Sequence, residues 1–171
     1  MKKIVTDILN NKYLNEEKLN AEVIQTDNKI VIGDNCILNN TSFWVADDDN
    51  NINIGNMTTI TNDTQFAALE GTNINVGSDC MFSHDIFVRT SGSHSVLNSE
   101  GTRTNRAKDI SIGNHCWIGM QSLILKGGEI KDNSIVAARS VVTKQFEANV
   151  LIGGSPAQVL KNNINWSRKR I

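Results

Sequence analysis

The chain has 171 residues, enough for one domain with a buried core, and its 17 basic and 18 acidic residues leave a net charge of −1. This balance produces no field that would gather nucleic acid or an anionic membrane surface, so we expect neither as a partner. The sequence shows neither a signal-peptide pattern nor the roughly 20 apolar residues of a membrane helix. We therefore expect a cytoplasmic protein without membrane insertion.

Residues 1–28 are polar and have no regular hydrophobic repeat. We expect them to form a short helical or irregular N-terminal cap, with Ile4, Ile8 and Leu9 packed on the first coil of a solenoid. Such a cap is needed because the terminal coil of a solenoid otherwise exposes its apolar end.

From Ile32 onward, apolar residues recur every six positions in groups of three. The groups are separated by steps of ten, and we take the anchors to be Ile32, Leu38, Trp44, Ile54, Ile60, Phe66, Val76, Phe82 and Val88. A period of six fits neither a helix nor a flat strand. It fits a chain that bends after each short strand, so that three strands make one triangular turn and the insertions fall at one repeated corner.

Three cysteines, Cys36, Cys80 and Cys116, each follow an anchor by four residues. None belongs to a Cys-x-x-Cys pair, so we expect neither a zinc site nor a redox motif. Because Ser or Gly holds this position in other hexads, we expect small residues that face inward near a corner.

The period disappears over residues 89–109, a polar segment with Gly92 and Gly101. We expect this segment to leave the coil as a long protruding loop, and long ordered loops in compact domains usually carry function. The period then returns without a gap at Ile112, Ile118, Ile124, Ile130, Val136 and Val142.

These patterns predict one all-β domain, a β-helix of hexapeptide repeats over residues 29–152. Residues 153–171 are expected to form a C-terminal turn and then a short basic helix. That helix would carry Lys161, Arg168, Lys169 and Arg170.

Three stretches carry a family likeness: residues 82–94, residues 109–119 with Trp117-Ile118-Gly119, and residues 137–144 together with Gly153-Gly154-Ser155-Pro156-Ala157. They resemble the hexapeptide-repeat acyltransferases, whose fold is a left-handed parallel β-helix. The likeness covers about residues 30–160 and is closest to bacterial sugar O-acetyltransferases of capsule and lipopolysaccharide, including those of sialic and polysialic acid. It implies a homotrimer with active sites between subunits, acetyl-CoA as co-substrate along the C-terminal coils, and no metal.

Moving an acetyl group from a thioester to a hydroxyl needs a base, and a neutral imidazole suits that task at cytoplasmic pH. His94 lies in the protruding loop and matches the family's catalytic histidine. His84 ranks second, although Asp85 beside it on a strand would point to the other face. His115 lies inside a regular hexad and is expected on the coil surface. The resemblance further implies that Trp117 lies near the acetyl end of CoA.

Small residues would let the pantetheine arm of CoA approach the coil, and a backbone N–H near Gly119 is our candidate donor to the oxyanion. The resemblance implies that Ser155, Pro156 and Ala157 lie near the adenine end of CoA and that Lys144 is a candidate phosphate ligand. Arg139 stands where the motif commonly has glycine, and it either pairs with a CoA phosphate or covers the rim. The candidate CoA-binding residues are Gly119, Ala137, Ala138, Arg139, Lys144, Ser155, Pro156 and Ala157.

Arginines crowd the protruding loop, and a guanidinium would suit a carboxylate on the acceptor, such as that of sialic acid. Salt bridges within the loop to Asp85, Glu100 and Asp109 explain them equally well. The candidate substrate-binding residues are Arg89, Arg103 and His84, and Arg106 lies nearby.

The function that we expect is acetyl-CoA-dependent O-acetylation of a cell-surface sugar, with His94 as the general base. The same fold and donor would serve an N-acetyltransferase of an amino sugar nucleotide. A third alternative is a trimeric solenoid that does not use CoA, or a carbonic-anhydrase-like metal enzyme with His84, His94 and His115 as ligands. The Trp-Ile-Gly and Gly-Ser-Pro-Ala motifs argue against it because they belong to CoA users.

Overall fold

A computed structural model of the chain describes residues 5–8, 19–23 and 27–171. The regular secondary structure of that part of the chain consists of β-strands. Strands of successive coils pair in parallel to form three sheets. The predicted all-β solenoid is confirmed. None of the described residues forms a helix long and apolar enough to cross a membrane.

The three sheets are the long faces of the solenoid, and the chain visits them in the same order in every coil. The first sheet contains β1 Val5–Ile8, β3 Lys29–Ile32, β6 Asn51–Ile54, β9 Asn73–Val76, β12 Ile110–Ile112, β15 Glu129–Ile130 and β18 Gln145–Phe146. The second sheet contains β4 Ile37–Leu38, β7 Thr59–Asn62, β10 Met81–His84, β13 Trp117–Ile118, β16 Ile135–Val136, β19 Val150–Gly154 and β20 Ala157–Asn162. The third sheet contains β2 Leu19–Val23, β5 Thr41–Ala46, β8 Thr64–Leu69, β11 Phe87–Arg89, β14 Leu123–Leu125 and β17 Val141–Val142.

From β3 onward the strands of the coils send one or more side chains inward, and one of them in each strand stacks on the equivalent residue of the next coil. The three buried columns are Ile32, Ile54, Val76, Ile112 and Ile130; Leu38, Ile60, Phe82, Ile118, Val136 and Ile152; and Phe43, Phe66, Val88, Ile124 and Val142. The columns form one continuous apolar core, and its burial provides the main driving force for this fold.

One predicted anchor, Trp44, is wrong. Phe43 enters the core and stacks on Phe66 with 5.5 Å between ring centroids, while Trp44 points outward. The corner before β5 is one residue shorter than the same corner in the next coil, because Leu38 pairs with Ile60 whereas Thr41 pairs with Thr64. A shift of one residue exchanges the two faces of a strand.

The cysteines are buried as expected. Each thiol lies near a backbone carbonyl of the next coil, with Cys36 Sγ 3.1 Å from Gly55 O and Cys80 Sγ 3.1 Å from Gly113 O. Thr58 holds the same position in the coil between them and donates its hydroxyl to Gly77 O at 3.1 Å. Each of these small polar side chains therefore links two coils at the corner between the first and second sheets.

Both ends of the solenoid differ from the sequence-based expectation. In the N-terminal segment that we expected to be a helical or irregular cap, β1 pairs with β3 and β2 pairs with β5, so the described parts extend the sheets. Ile4 and Leu9 lie outside the described residues. At the other end the predicted basic helix is wrong, because β20 pairs antiparallel with β19 instead. The open edge of the second sheet offers unpaired backbone groups, and β20 covers them.

The corner glycines allow the coils to stack closely, and this can be tested at Gly77. A Cβ at Gly77 would lie 2.6 Å from the carbonyl carbon of Gly113 and 2.7 Å from Asn114 N, whereas a Cβ at Gly92 would come no closer than 3.7 Å to Asn105 Nδ2. We predict that Gly77→Ala lowers the free energy of unfolding by about 1–3 kcal/mol and that Gly92→Ala leaves it within about 0.5 kcal/mol, measured by denaturant unfolding. Equal stability of the two variants would contradict the stacking account.

Candidate active site

The protruding loop leaves the solenoid after β11 and returns at β12, at the corner between the third and first sheets. It forms a two-stranded arm, with an antiparallel bridge between Leu97 and Arg103 and a hydrogen bond from Thr104 N to Val96 O of 2.8 Å. The apolar side chains of Val96 and Leu97 are each 58% exposed. The arm therefore presents apolar surface that the solenoid of its own chain does not cover.

The base of the loop is held by buried polar groups. Thr90 is fully buried, and its hydroxyl oxygen accepts hydrogen bonds from the Thr72 hydroxyl at 2.7 Å and from Leu69 N at 3.1 Å. Ser91 is also buried and donates its hydroxyl to the Glu70 carboxylate. Because buried polar groups lose stability when they lose partners, this network holds the start of the loop in one position.

Glu70 and Arg103 form an ion pair of 2.7 Å that joins the coil to the returning strand of the arm. The hydrogen bond from Arg103, together with that from Ser91, lowers the pKa of Glu70 to about 2. Sequence reasoning missed Glu70, although it lies in an insertion at the same corner from which the loop leaves.

Arg89 also holds the loop. Its guanidinium lies 4.8 Å from the ring centre of Trp44, and it donates from Nε to Ser91 O at 3.0 Å and from its terminal nitrogen to Ser93 Oγ at 2.8 Å. Both candidate substrate arginines thus have partners within the loop and its base. The acidic partner of Arg103 is Glu70, and not one of the candidates Asp85, Glu100 and Asp109.

His94 lies on the arm with its side chain exposed. Its carbonyl oxygen accepts a hydrogen bond from Asn105 Nδ2 at 2.7 Å, and Asn105 Oδ1 accepts one from Val96 N at 2.8 Å. Lys126 in turn donates to the carbonyl oxygen of Asn105 at 2.7 Å. Asn105 therefore holds the backbone directly after His94, and Lys126 connects Asn105 to the coil. Sequence reasoning missed both residues.

Trp117 lies on the second sheet, and the residue is 36% exposed on the outer face. Met81 and Ile135 are its neighbours on the adjacent strands. The corner between the third and first sheets is the edge of the triangular solenoid opposite the second sheet. The loop that carries His94 and the face that carries Trp117 therefore belong to different sides of one subunit, and a single chain does not bring the two together.

The structure corrects the expectation for Gly119. Its backbone N–H donates to Val136 O at 2.8 Å, so it is part of the ladder between coils and is not a free oxyanion donor. A Cβ at this position would lie 2.6 Å from Ala138 N. The close approach that requires glycine here is therefore that of the next coil.

His84 ends β10, one strand away from Trp117 in the second sheet. Its Nδ1 lies 3.0 Å from Asp85 Oδ2, although a regular strand would point adjacent residues to opposite faces. The pairing is possible because Asp85 has a φ of 57°, so the chain turns at this corner. In the next two coils the same corner carries Gln121 and Arg139, joined by a hydrogen bond of 2.8 Å from Arg139 Nε.

The remaining candidate CoA residues lie along the C-terminal coils. Ala137 is half-buried and Ala138 is exposed at the corner after β16, and Ser155 and Pro156 are exposed in the β19–β20 turn. Ala157 is buried, so it offers little surface to a ligand.

Lys144 lines a groove of about 470 Å³ between β18 and β20, where its Nζ donates to Gln158 Oε1 at 2.9 Å. A basic residue at the edge of a groove of this size is suited to a phosphate ligand.

The three histidines lie at separate places. His84 ends β10, His94 is on the arm, and His115 is at the corner between the first and second sheets, where Asp79 and Trp166 contact it. Within the part of the chain that the structure describes, no group of three His, Cys, Asp or Glu residues is arranged to hold a metal ion.

The chain is similar in sequence to polysialic acid O-acetyltransferases, although no protein-family model matches it. It is 33% identical over 91 residues to the enzyme of Escherichia coli O1:K1 and 36% identical over 93 residues to that of Neisseria meningitidis. Each match covers 53% of this chain, but only 30% and 43% of the relatives. The matched region thus spans less than half the length of these curated relatives.

Two solved structures agree with this similarity. That of a polysialic-acid-specific acetyltransferase has a TM-score of 0.70 at 26% identity and covers 88% of this chain and 72% of its own. That of a polysialic acid O-acetyltransferase has a TM-score of 0.73 at 27% identity and covers 90% of both chains. The chain has the fold of the left-handed β-helix acetyltransferases, which confirms the resemblance drawn from the three motifs.

The Glu70–Arg103 pair provides a test of how the loop is held. We predict that Arg103→Gln speeds amide hydrogen exchange at residues 93–105 about tenfold, whereas Arg106→Gln, which removes a charge from the same loop, has little effect. Because the pKa of Glu70 is lowered from 4.5 to about 2, the pair stabilises the folded loop fully above pH 4.5 and loses its contribution as the pH falls towards 2. Equal exchange in the two variants would contradict this role.

Proposed function

We propose that the chain is an acetyl-CoA-dependent O-acetyltransferase that acts on a hydroxyl of a cell-surface sugar, with polysialic acid as the first acceptor to test. The observation that carries the proposal is the position of His94. Its side chain is exposed, and the loop that carries it begins with buried, hydrogen-bonded residues. The similarity to polysialic acid O-acetyltransferases supports the reaction and the class of acceptor. The candidate CoA residues of the second sheet favour this reaction over a solenoid that does not use CoA.

In the proposed reaction His94 acts as the general base. Its imidazole takes the proton from the acceptor hydroxyl while the hydroxyl oxygen forms a bond to the carbonyl carbon of the thioester. The bond from that carbon to sulfur then breaks, and the proton passes from the imidazolium to the leaving sulfur. The products are an O-acetyl ester and the free thiol of CoA. A fixed loop favours this chemistry, because an imidazole that already points at the hydroxyl loses little orientational freedom in the transition state.

We further propose that the site forms between two subunits of a homotrimer, with His94 from one and Trp117 from its neighbour. In a single chain the loop and the second sheet lie on opposite sides. The exposed apolar side chains of Val96 and Leu97 on the arm, and the outer face around Trp117, are the kind of surface that a neighbouring subunit covers. A ring of identical head-to-tail contacts would make one site at each interface.

Acetyl-CoA is proposed to lie along the second sheet and its C-terminal edge. Trp117 would contact the acetyl end, and the low corner formed by Gly119, Ala137 and Ala138 would receive the pantetheine arm. The groove at Lys144 would receive phosphate, with Ser155 and Pro156 near the adenine. Arg139 is held by Gln121 at the rim, within reach of the same track.

Arg89, Arg103 and His84 are proposed to contact the acceptor. A guanidinium has five N–H donors, so an arginine that holds the loop can also bind a carboxylate of an acidic sugar. This double role would join acceptor binding to the position of His94, because the same two side chains contact the segment that carries the base.

The role of His94 can be tested by following release of the CoA thiol from acetyl-CoA in the presence of polysialic acid. We predict that His94→Asn lowers kcat by about 100-fold or more, because general-base catalysis contributes that much, while the thermal midpoint stays unchanged. Ser95→Ala, a neighbouring change on the exposed arm, serves as the control. Full turnover in His94→Asn would exclude His94 as the base, and no turnover of the unmodified protein with any sugar would contradict the proposed function.

Lys144 can be tested separately from the chemistry. Loss of one charge-assisted contact to phosphate costs about 1 kcal/mol at an exposed site, so Lys144→Gln should raise KM for acetyl-CoA about fivefold and leave kcat unchanged. Lys29→Gln, on the first sheet, removes the same charge at a distance from the groove and should change neither constant. Equal KM values for the two variants would exclude a phosphate role for Lys144.

A further inference from the structure

The last nine residues of the chain fold back over the corner between the first and second sheets. Ile164 N donates to Asn149 O at 3.0 Å, and the Trp166 indole stacks on the His115 ring with 4.3 Å between centroids and 9° between the ring planes. Trp166 also lies 6.1 Å from Trp117, centroid to centroid, at an angle of 48°. The C-terminal segment, residues 163–171, therefore contacts the aromatic residue of the proposed acyl site.

Polar contacts hold this segment to three places on the coil. Trp166 Nε1 donates to His115 O at 2.8 Å, and Arg168 donates to Asp79 Oδ1 at 3.1 Å and to Cys80 O at 3.0 Å. Burial opposes the charge on Asp79, but hydrogen bonds from His115 and Arg168 outweigh it and lower the pKa of this carboxyl. These contacts join residues that are 51 to 89 positions apart in sequence. The segment is therefore bound to the coil at specific residues.

We propose that Trp166 is a positioning residue for Trp117 and that the C-terminal segment is the clamp that holds it there. This inference rests on the proposed function, in which Trp117 contacts the acyl end of CoA. Trp117 is partly exposed and extends from a two-residue strand, so its own coil covers only part of the residue. Trp166 packs against it and limits the orientations that it can take.

His115 joins the clamp to the coil, and its two ring nitrogens show how. Nδ1 lies 2.6 Å from the Asp79 carboxylate and Nε2 lies 3.1 Å from the Trp166 carbonyl oxygen, and both of these partners are acceptors. His115 therefore connects the Asp79 carboxylate on the coil to the backbone of the segment at Trp166.

The Asp79 carboxylate contacts both His115 on the coil and Arg168 on the segment, at 2.6 Å and 3.1 Å. A single carboxylate on the coil therefore holds two of the side chains that fix the segment.

Docking can be measured without substrate from the indole N–H signals of Trp44, Trp117 and Trp166 in nitrogen-15 NMR spectra. The Trp166 indole N–H should be protected from solvent exchange. Arg168→Ala should lower this protection about tenfold, whereas Arg170→Ala, a matched change in the same segment, should not. An unprotected Trp166, or equal protection in the two variants, would overturn the clamp whether or not the chain transfers acetyl groups.

The positioning role is measured with acetyl-CoA. Trp166→Ala should lower kcat/KM for acetyl-CoA about tenfold with a thermal midpoint within about 2 °C of the unmodified protein, because a small displacement of a contact residue is enough for such a loss. Trp166→Phe keeps a ring against Trp117 and should recover most of the activity. The positioning role is overturned if Trp166→Ala keeps full kcat/KM while the Trp117 indole signal shifts, or if Phe fails to rescue although the segment stays docked.

Discussion

The close stacking of identical corners is the constraint on which the rest of the structure depends. Backbone atoms of neighbouring coils approach so closely at Gly77 and Gly119 that no Cβ fits, and the N–H groups at these corners are used between coils. The solenoid is therefore stiff but offers few free backbone donors for chemistry. Functional groups have to come from outward side chains, from the protruding loop, and from the chain end.

A stiff scaffold is useful only if the segments that leave it are also held in place. The loop is held by a buried network around Thr90 and by the Glu70–Arg103 pair, and Asn105 ties the backbone of His94 to the same region. The C-terminal segment is held by His115 and Trp166 on another corner. Both attachments use polar and aromatic contacts between residues far apart in sequence, which position a site more firmly than a loop alone can.

Most of the coil could be predicted from the sequence because each hexad contributes one residue to a buried column. The loss of the six-residue period at residues 89–109 marked the loop. It failed at Trp44, where one missing corner residue shifted the strand register. It also failed at the C-terminal helix, because periodicity does not reveal an open sheet edge that needs a partner. The roles of Glu70, Asn105 and Trp166 were not visible, since each depends on a contact between distant positions.

The central claim is that His94 of one subunit and Trp117 of its neighbour make one site. Mixing the variants His94→Asn and Trp117→Ala, unfolded and refolded together in equal amounts, tests it most directly. Each variant alone should be nearly inactive, and random trimers should recover about a quarter of the activity, because one site in four pairs an intact loop with an intact tryptophan. Mixed trimers with no recovered activity would contradict the account and would require both residues to act within one chain.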